Sequence, residues 1–182
     1  MHAKHIFVSI VLGLALMSAL LGCRGSSYSG DGVLADYGAS HPTHHYILDL
    51  GAIDFSTNGL HKFKVSALPR KEFTFGFRLM FEPPLAKADE LPQIHATARI
   101  TLTDSAGKIV VNERAALSDW TWNYPSNKDW AFLYRRRGDN HNGTYLIPQR
   151  DMQYTLEIEI TDAAGAQRNS TARLIAESGG WK

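Results

Sequence analysis

The residue types best suited to binding are concentrated between positions 119 and 145. This stretch, DWTWNYPSNKDWAFLYRRRGDNHNGTY, holds three of the four tryptophans of the chain and three consecutive arginines among turn-forming residues. Tryptophan, tyrosine and arginine are the side chains enriched at protein-binding hot spots. Flat aromatic rings can also stack on sugars. The sequence therefore predicts a partner-binding surface made by Trp120, Trp122, Tyr124, Trp130, Tyr134, Arg135, Arg136 and Arg137.

Some of these rings have a structural alternative, because tryptophan is highly buried on average in folded proteins. Trp120 and Trp122 are two residues apart and would share one face of a strand. If that face turned inward, both rings would belong to the core. Trp130 and Arg136 are the residues that we expect to act as anchors for a partner.

Other candidate chemistry is weaker. His41, His44 and His45 are close enough in sequence to suggest a zinc or copper site, but no cysteine or acid stands beside them. Loop aspartates can bind calcium, yet those of this chain lack the spacing of a calcium-binding loop. We therefore predict no metal ion and no cofactor. The loop aspartates in question are Asp104, Asp119, Asp129, Asp139 and Asp162.

The sequence carries none of the common catalytic signatures. It has no G-x-S-x-G, no H-E-x-x-H and no phosphate-binding loop, which predicts a binding protein and not an enzyme. The chain has 19 Lys+Arg against 18 Asp+Glu. Such a balance gives no reason to expect nucleic acid as a partner.

The N-terminus predicts where the protein resides. Lys4 precedes an apolar run, residues 6–21, which is short for a membrane span and has the layout of a signal peptide. The run ends in LLGC, and Cys23 is the only cysteine of the chain. This segment resembles the lipobox of bacterial lipoproteins. The resemblance implies cleavage after Gly22 and lipidation of Cys23, with palmitate among the acyl chains.

The same resemblance implies a membrane and a domain organisation. In such lipoproteins an aspartate after the cysteine favours the inner membrane, so Arg24 implies the outer membrane, with the protein facing the periplasm. The following residues are rich in serine and glycine, which is typical of a flexible tether. We therefore expect a signal peptide over 1–22, a lipidated cysteine and tether over 23–45, and a folded domain over 46–182.

The folded domain is expected to be all-β. FTFGFRLMF, residues 73–81, has an apolar residue at every second position, so a strand places all five on one face. Similar alternation recurs along the chain, and no segment shows sustained helical spacing. This pattern predicts an antiparallel β-sandwich of seven to nine strands, immunoglobulin-like, C2-like or jelly-roll in type. Its predicted core contains Phe73, Phe75, Phe77, Ile100, Leu102, Leu156 and Ile158.

Two segments share one turn motif. ITLTDSAGK and IEITDAAGA each place Asp-x-x-Gly after an alternating run, and a further run follows each motif. Aspartate and glycine are common turn residues, so both segments are interpreted as hairpins, with a true internal repeat as the alternative.

Three classes of function remain open. The anchor, size and fold resemble small β-sandwich lipoproteins of unassigned function, some of which are immunity proteins that neutralise interbacterial toxins in the periplasm. This resemblance implies a protein partner, with a toxin as one case. The aromatic residues alternatively indicate a carbohydrate-binding module for peptidoglycan or another envelope glycan. A structural accessory of an envelope complex is the third class.

Overall fold

The computed structural model describes residues 28–38, 45–85, 94–123, 129–138, 142–165 and 171–178. They form a sandwich of two antiparallel β-sheets, which confirms the predicted fold class. A short 3₁₀ turn, Leu117–Asp119, joins the seventh and eighth strands. The strands are β1 Ser29–Gly30, β2 Val33–Asp36, β3 Tyr46–Asp54, β4 Gly59–Ser66, β5 Phe73–Met80, β6 Thr97–Asp104, β7 Ile109–Ala116, β8 Thr121–Asn123, β9 Trp130–Tyr134, β10 Tyr145–Leu146, β11 Gln153–Thr161 and β12 Thr171–Ser178.

The two sheets contain five and seven strands. The strand order is β1-β4-β11-β6-β7 in the first and β2-β3-β12-β5-β9-β8 in the second, with β10 paired to the start of β5. Seven strands are eight or nine residues long, and the other five have two to five residues. The total exceeds the predicted seven to nine, because strands of two to five residues are too short to show alternation in a sequence.

The core lies between the sheets and is built from the alternating apolar positions. All seven residues predicted for the core are buried, and so are the five apolar positions of residues 73–81. Phe63 and Trp122 are partly buried and pack against the margin of the core. Phe55 and Phe77 meet edge to face with ring centres 5.0 Å apart. Burial of an aromatic side chain contributes roughly 1.5–3 kcal/mol through the hydrophobic effect.

An N-terminal strap, residues 28–38, belongs to the sandwich. β1 pairs with β4 of the five-stranded sheet, and β2 pairs with β3 of the seven-stranded sheet. The strap crosses between the sheets at Asp31 and Gly32. The amide of Asp31 donates to the Lys64 carbonyl at 2.7 Å, and its carboxylate accepts the Lys64 amide at 2.7 Å.

The strap corrects the expected domain boundary at residue 46. Gly30 and Gly32 have positive φ angles, and a side chain on either would overlap a carbonyl oxygen of the neighbouring strand. The small residues that suggest a flexible linker are therefore needed here for a close crossing. Residues 24–27 and 39–44 of the predicted tether, like residues 1–22 and Cys23, lie outside the described residues.

Only one of the two Asp-x-x-Gly motifs forms the predicted hairpin. At residues 104–107 the motif turns a hairpin between β6 and β7, and the Asp104 carboxylate accepts the amides of Ala106 and Lys108 at 2.9 Å each. At 162–165 the hairpin prediction is wrong, because β11 and β12 belong to different sheets. There the Ala163 and Ala164 amides bond to Asn58 and His95 of neighbouring connections.

No helix among the residues described is both long and apolar enough to cross a membrane.

Candidate partner-binding site

Trp120 and Trp122 point into the core. Trp120 is only 3% exposed, its ring centre lies 5.2 Å from that of Phe77, and its indole N–H donates to the Ala115 carbonyl at 3.3 Å. Trp122 opposes the buried Leu133 and packs against the same core. The inward-facing alternative therefore holds for the buried Trp120, while Trp122 faces the same core and stays partly exposed at its margin.

Trp130 and Tyr134 lie on the outer face of the seven-stranded sheet. Their strand, β9, alternates, so that Ala131 and Leu133 turn inward while Trp130, Phe132 and Tyr134 turn outward. The Tyr134 ring stacks on Phe132 with centroids 5.6 Å apart. Trp130 and Tyr134 are both half-buried.

An ion pair accompanies Trp130 on this face. The Arg78 guanidinium lies 4.7 Å from the centre of the Trp130 ring and donates a hydrogen bond to the carboxylate of Glu177. The Glu177 side chain is 2% exposed and that of Arg78 is 23% exposed. Removing one partner of such a buried pair is strongly destabilising, so these contacts have a structural role.

The three consecutive arginines have different surroundings. Arg135 is half-buried, and its guanidinium donates to the Asp119 carbonyl at 2.5 Å. Arg136 is exposed. Arg137 is exposed as well, with its guanidinium 4.6 Å from the centre of the Tyr145 ring and its Nη2 atom 2.7 Å from Glu72 Oε2. Tyr124, the remaining predicted residue, lies outside the described residues.

Arg137 and Tyr145 line an open groove of about 390 Å³, which we call the Arg137–Tyr145 groove. Arginine, aspartate, asparagine, glutamine and tyrosine supply its polar atoms, and aliphatic side chains supply the rest. Ile147 in its lining is 63% exposed. The full lining is Asp104, Val110, Arg137, Asn142, Tyr145, Leu146, Ile147, Gln149 and Tyr154.

Backbone pairing holds the two walls of the groove together. The Thr144 amide donates to the Arg135 carbonyl at 3.0 Å, and the Arg135 amide donates to Thr144 Oγ1 at 3.2 Å. Thr144 in turn accepts the Phe75 amide at 2.8 Å, which fixes this segment on β5. This pairing attaches the groove segment to β5, which lies inside the seven-stranded sheet between β12 and β9.

Gly143 is required for the shape of this segment. Its φ angle is +70°, and a Cβ atom there would lie 2.8 Å from the Tyr145 ring and 2.5 Å from the Arg135 carbonyl oxygen. Its amide donates at 3.0 Å to the carboxylate of Glu113, a buried acid on β7. Glu113 therefore ties the groove segment of one sheet to the edge strand of the other.

The electrostatics of the groove favour a neutral tyrosine beside a cation. Burial raises the pKa of the Tyr145 hydroxyl, and the neighbouring Tyr134 raises it further, although Arg137 lowers it. The Arg137–Glu72 pair is exposed, with 57% and 43% of the side chains accessible. Exposed ion pairs contribute between about 0 and 1 kcal/mol, so Arg137 can exchange Glu72 for an acidic group of a partner at little cost.

Sequence reasoning missed most of this groove, since six of its nine lining residues lie outside residues 119–145. Tyr145 is within the aromatic-rich stretch, but Ile147, Gln149 and Glu72 come from other connections, and no spacing in the sequence relates them. Tyr154 is at an alternating core position, and its hydroxyl accepts the Gln149 amide at 2.9 Å. Only the positive φ angle of a glycine, suggested by Asn-Gly at 142–143, marks this turn in the sequence.

Within the described parts of the chain, no group of three or more histidines, cysteines or acids is arranged to hold a metal ion. Of the loop aspartates, Asp104 binds its own turn, and Asp139 lies outside these parts.

No model of a known protein family matches this sequence, and no curated protein matches it significantly.

Proposed function

We propose that this chain is a lipoprotein anchored through Cys23 in the outer membrane, where it faces the periplasm and binds a protein partner. The partner contacts the Arg137–Tyr145 groove and the exposed Arg136 beside it. The observation that carries the proposal is the exposed Arg137 guanidinium above the Tyr145 ring at an open groove that also exposes Ile147. Arginine and tyrosine are enriched at binding hot spots.

The contacts of the aromatic rings favour a protein over a glycan. Stacking on a sugar needs an accessible ring face. Arg137 covers one face of the Tyr145 ring. The Tyr134 ring packs edge to face against the Tyr145 ring, with centroids 6.2 Å apart. Arg78 lies over Trp130, and Trp120 is buried. The chemistry most accessible at this site is therefore the guanidinium group, which recognises carboxylates in two-point geometry.

A toxin that reaches the periplasm is the partner class that we propose to test first. An immunity protein needs a rigid scaffold, a few arginine or aromatic anchors, and residence in the compartment that the toxin attacks. The sandwich provides the scaffold and the groove provides the anchors, while the lipid would provide the location. None of these three requirements involves catalysis by the chain itself.

The test compares wild-type protein with the Arg136→Ala/Arg137→Ala variant. Partners are cross-linked in the envelope, recovered with the tagged protein and identified by mass spectrometry, and the recovered partner is then purified for calorimetry. Loss of two anchors should weaken binding by about 2 kcal/mol or more, roughly 30-fold in Kd. Unfolding curves of both proteins establish that the variant is folded.

Arg70→Ala/Arg150→Ala is the matched control. Both arginines are exposed and lie in nearby connections, but neither lines the groove. This variant loses the same charge and should bind as wild type does. Equal weakening by both pairs would show a general charge effect and contradict a groove-specific site. Co-sedimentation with purified sacculi, with no protein recovered, would instead support the carbohydrate-binding class.

A further inference from the structure

The strand register defines two ends of the sandwich, and one of them is basic. Ser66 at the end of β4 and Phe73 at the start of β5 mark this end in the two sheets, and the Arg137–Tyr145 groove lies there. We call it the basic end. Its described connections and strand termini carry seven Lys/Arg residues and five acids. The cations are Arg70, Lys71, Lys108, Arg135, Arg136, Arg137 and Arg150, and the acids are Asp31, Asp36, Glu72, Asp104 and Asp151.

The described part of the opposite end is acidic. Among the residues that the structure describes, its connections and strand termini contain four acids and no lysine or arginine. Among these residues, charge is therefore separated along the strands, which at eight or nine residues are about 30 Å long. The four acids are Asp54, Glu82, Asp129 and Asp162.

The N-terminal strap begins at the basic end. Ser29 of β1 pairs with Ser66, and Tyr28, just before it, donates a hydrogen bond from its hydroxyl to the Asp31 carbonyl. Cys23 is five residues earlier in the sequence. Five residues reach at most about 18 Å even when fully extended. An anchor on Cys23 therefore starts beside the basic end and is too short to bring the acidic end to a membrane.

We propose that the basic end faces and binds an anionic phospholipid surface when the protein is anchored; this rests on the proposed lipidation of Cys23. A lipid chain and a basic patch together are a common pair of membrane-binding signals. Lysine and arginine near an anionic surface are attracted to it, and the acidic end is repelled. The orientation places the groove near the membrane, so a protein partner is bound at the membrane surface.

The orientation can be measured by fluorescence quenching. With Cys23 acylated, an introduced cysteine is the only free thiol of the chain, and it can carry a fluorophore. Ala106→Cys labels the exposed β6–β7 turn at the basic end, and Thr57→Cys labels the exposed β3–β4 connection at the acidic end. The lipidated proteins are reconstituted into phosphatidylglycerol-containing vesicles that carry a short-range quencher on the headgroups.

We expect several-fold stronger quenching at position 106 than at position 57. A pair of lysine variants tests the role of charge. Lys71→Gln/Lys108→Gln removes two cations from the basic end and should reduce quenching at position 106. Lys62→Gln/Lys64→Gln removes the same charge from the middle of β4 and should not. Vesicles of phosphatidylcholine alone should reduce the difference between positions 106 and 57.

Equal quenching at the two positions in vesicle-bound protein would overturn the proposed orientation and leave the anchor intact. Equal effects of the two lysine pairs would overturn the role of the basic end. Failure of the protein to co-sediment with vesicles would overturn the lipidation of Cys23 and, with it, the orientation. Binding of the protein partner is measured separately, so each of these results is distinguishable from failure of the groove.

Discussion

The ring of Phe132 lies over Gly76 on the outer face of the seven-stranded sheet. A Cβ atom on Gly76 would come within 2.7 Å of Phe132 Cε2, and it would also overlap the Leu133 carbonyl oxygen. Phe132 is fully buried although it points away from the core between the sheets. The absence of a side chain at Gly76 is therefore what allows a large ring to pack against the backbone of β5.

The first prediction concerns this contact. Gly76→Ala should lower the free energy of unfolding by about 1–3 kcal/mol, because the new methyl group overlaps a carbonyl that cannot rotate away. Urea denaturation measures the change, with an unchanged m value as a check on two-state unfolding.

Gly59→Ala is its control. A Cβ atom there meets only His61 Nε2, at 3.6 Å, and the change should stay within about 0.5 kcal/mol. A Gly76→Ala variant as stable as the Gly59→Ala variant would contradict the close contact with Phe132.

The second prediction tests the core. Phe75 is fully buried between the sheets, so Phe75→Ala should cost about 3–5 kcal/mol of unfolding free energy. Met80 is on the same strand but is 53% exposed, and Met80→Ala should have a much smaller effect. Thermal and urea unfolding of both variants provide the comparison. Similar melting temperatures for the two variants would mean that the face of β5 carrying Phe75 is not the core face.

The long strands could be predicted from the sequence because alternation is a local property. Phe73 to Phe81, Ile100 and Leu102, and Leu156 and Ile158 each repeat every second residue, which fixes the side that is buried. Which sheet a strand joins is a property of distant partners. The Asp-x-x-Gly motif at 162–165 has the same composition as a hairpin turn, and only contacts with Asn58 and His95 make it a crossover.

The candidate site could be predicted in composition but not in geometry. Arg137 and Tyr134 are where the aromatic-rich stretch suggests, beside the groove or against its tyrosine. Trp120 shows why the geometry could not be predicted. A tryptophan in the sequence can be buried in a core or exposed on a surface, and only the fold decides which. Ile147 lines the groove just after the end of β10, and Glu72, just before the start of β5, pairs with Arg137.

The third prediction concerns the anchor. Cys23→Ser removes the only thiol that can be acylated, so the protein should leave the outer-membrane fraction or remain as an unprocessed precursor. Membrane fractionation and incorporation of labelled palmitate measure the two effects. Ser27→Ala, four residues later, should behave as wild type. If the Cys23→Ser protein kept the location and electrophoretic mobility of wild type, the lipoprotein proposal would be wrong.

The last prediction is a pH dependence that originates in the strap. Burial raises the pKa of the Tyr28 hydroxyl to about 12, and the nearby Asp31 carboxylate adds to the increase. In the unfolded chain the hydroxyl has a pKa of about 10. Below pH 10 both states keep the proton, and the contribution of Tyr28 to stability is fully present. Between pH 10 and 12 the unfolded state loses its proton first, so stability falls as the pH rises.

Tyr28→Phe should remove this part of the pH dependence. Urea denaturation at several values between pH 8 and pH 11.5 gives the slope of the unfolding free energy against pH, which should be shallower in the variant above pH 10. The variant also loses the hydrogen bond to the Asp31 carbonyl, but that loss shifts the curve and does not change its slope below pH 10. Parallel curves for wild type and Tyr28→Phe up to pH 11.5 would show that folding does not raise the pKa of the Tyr28 hydroxyl.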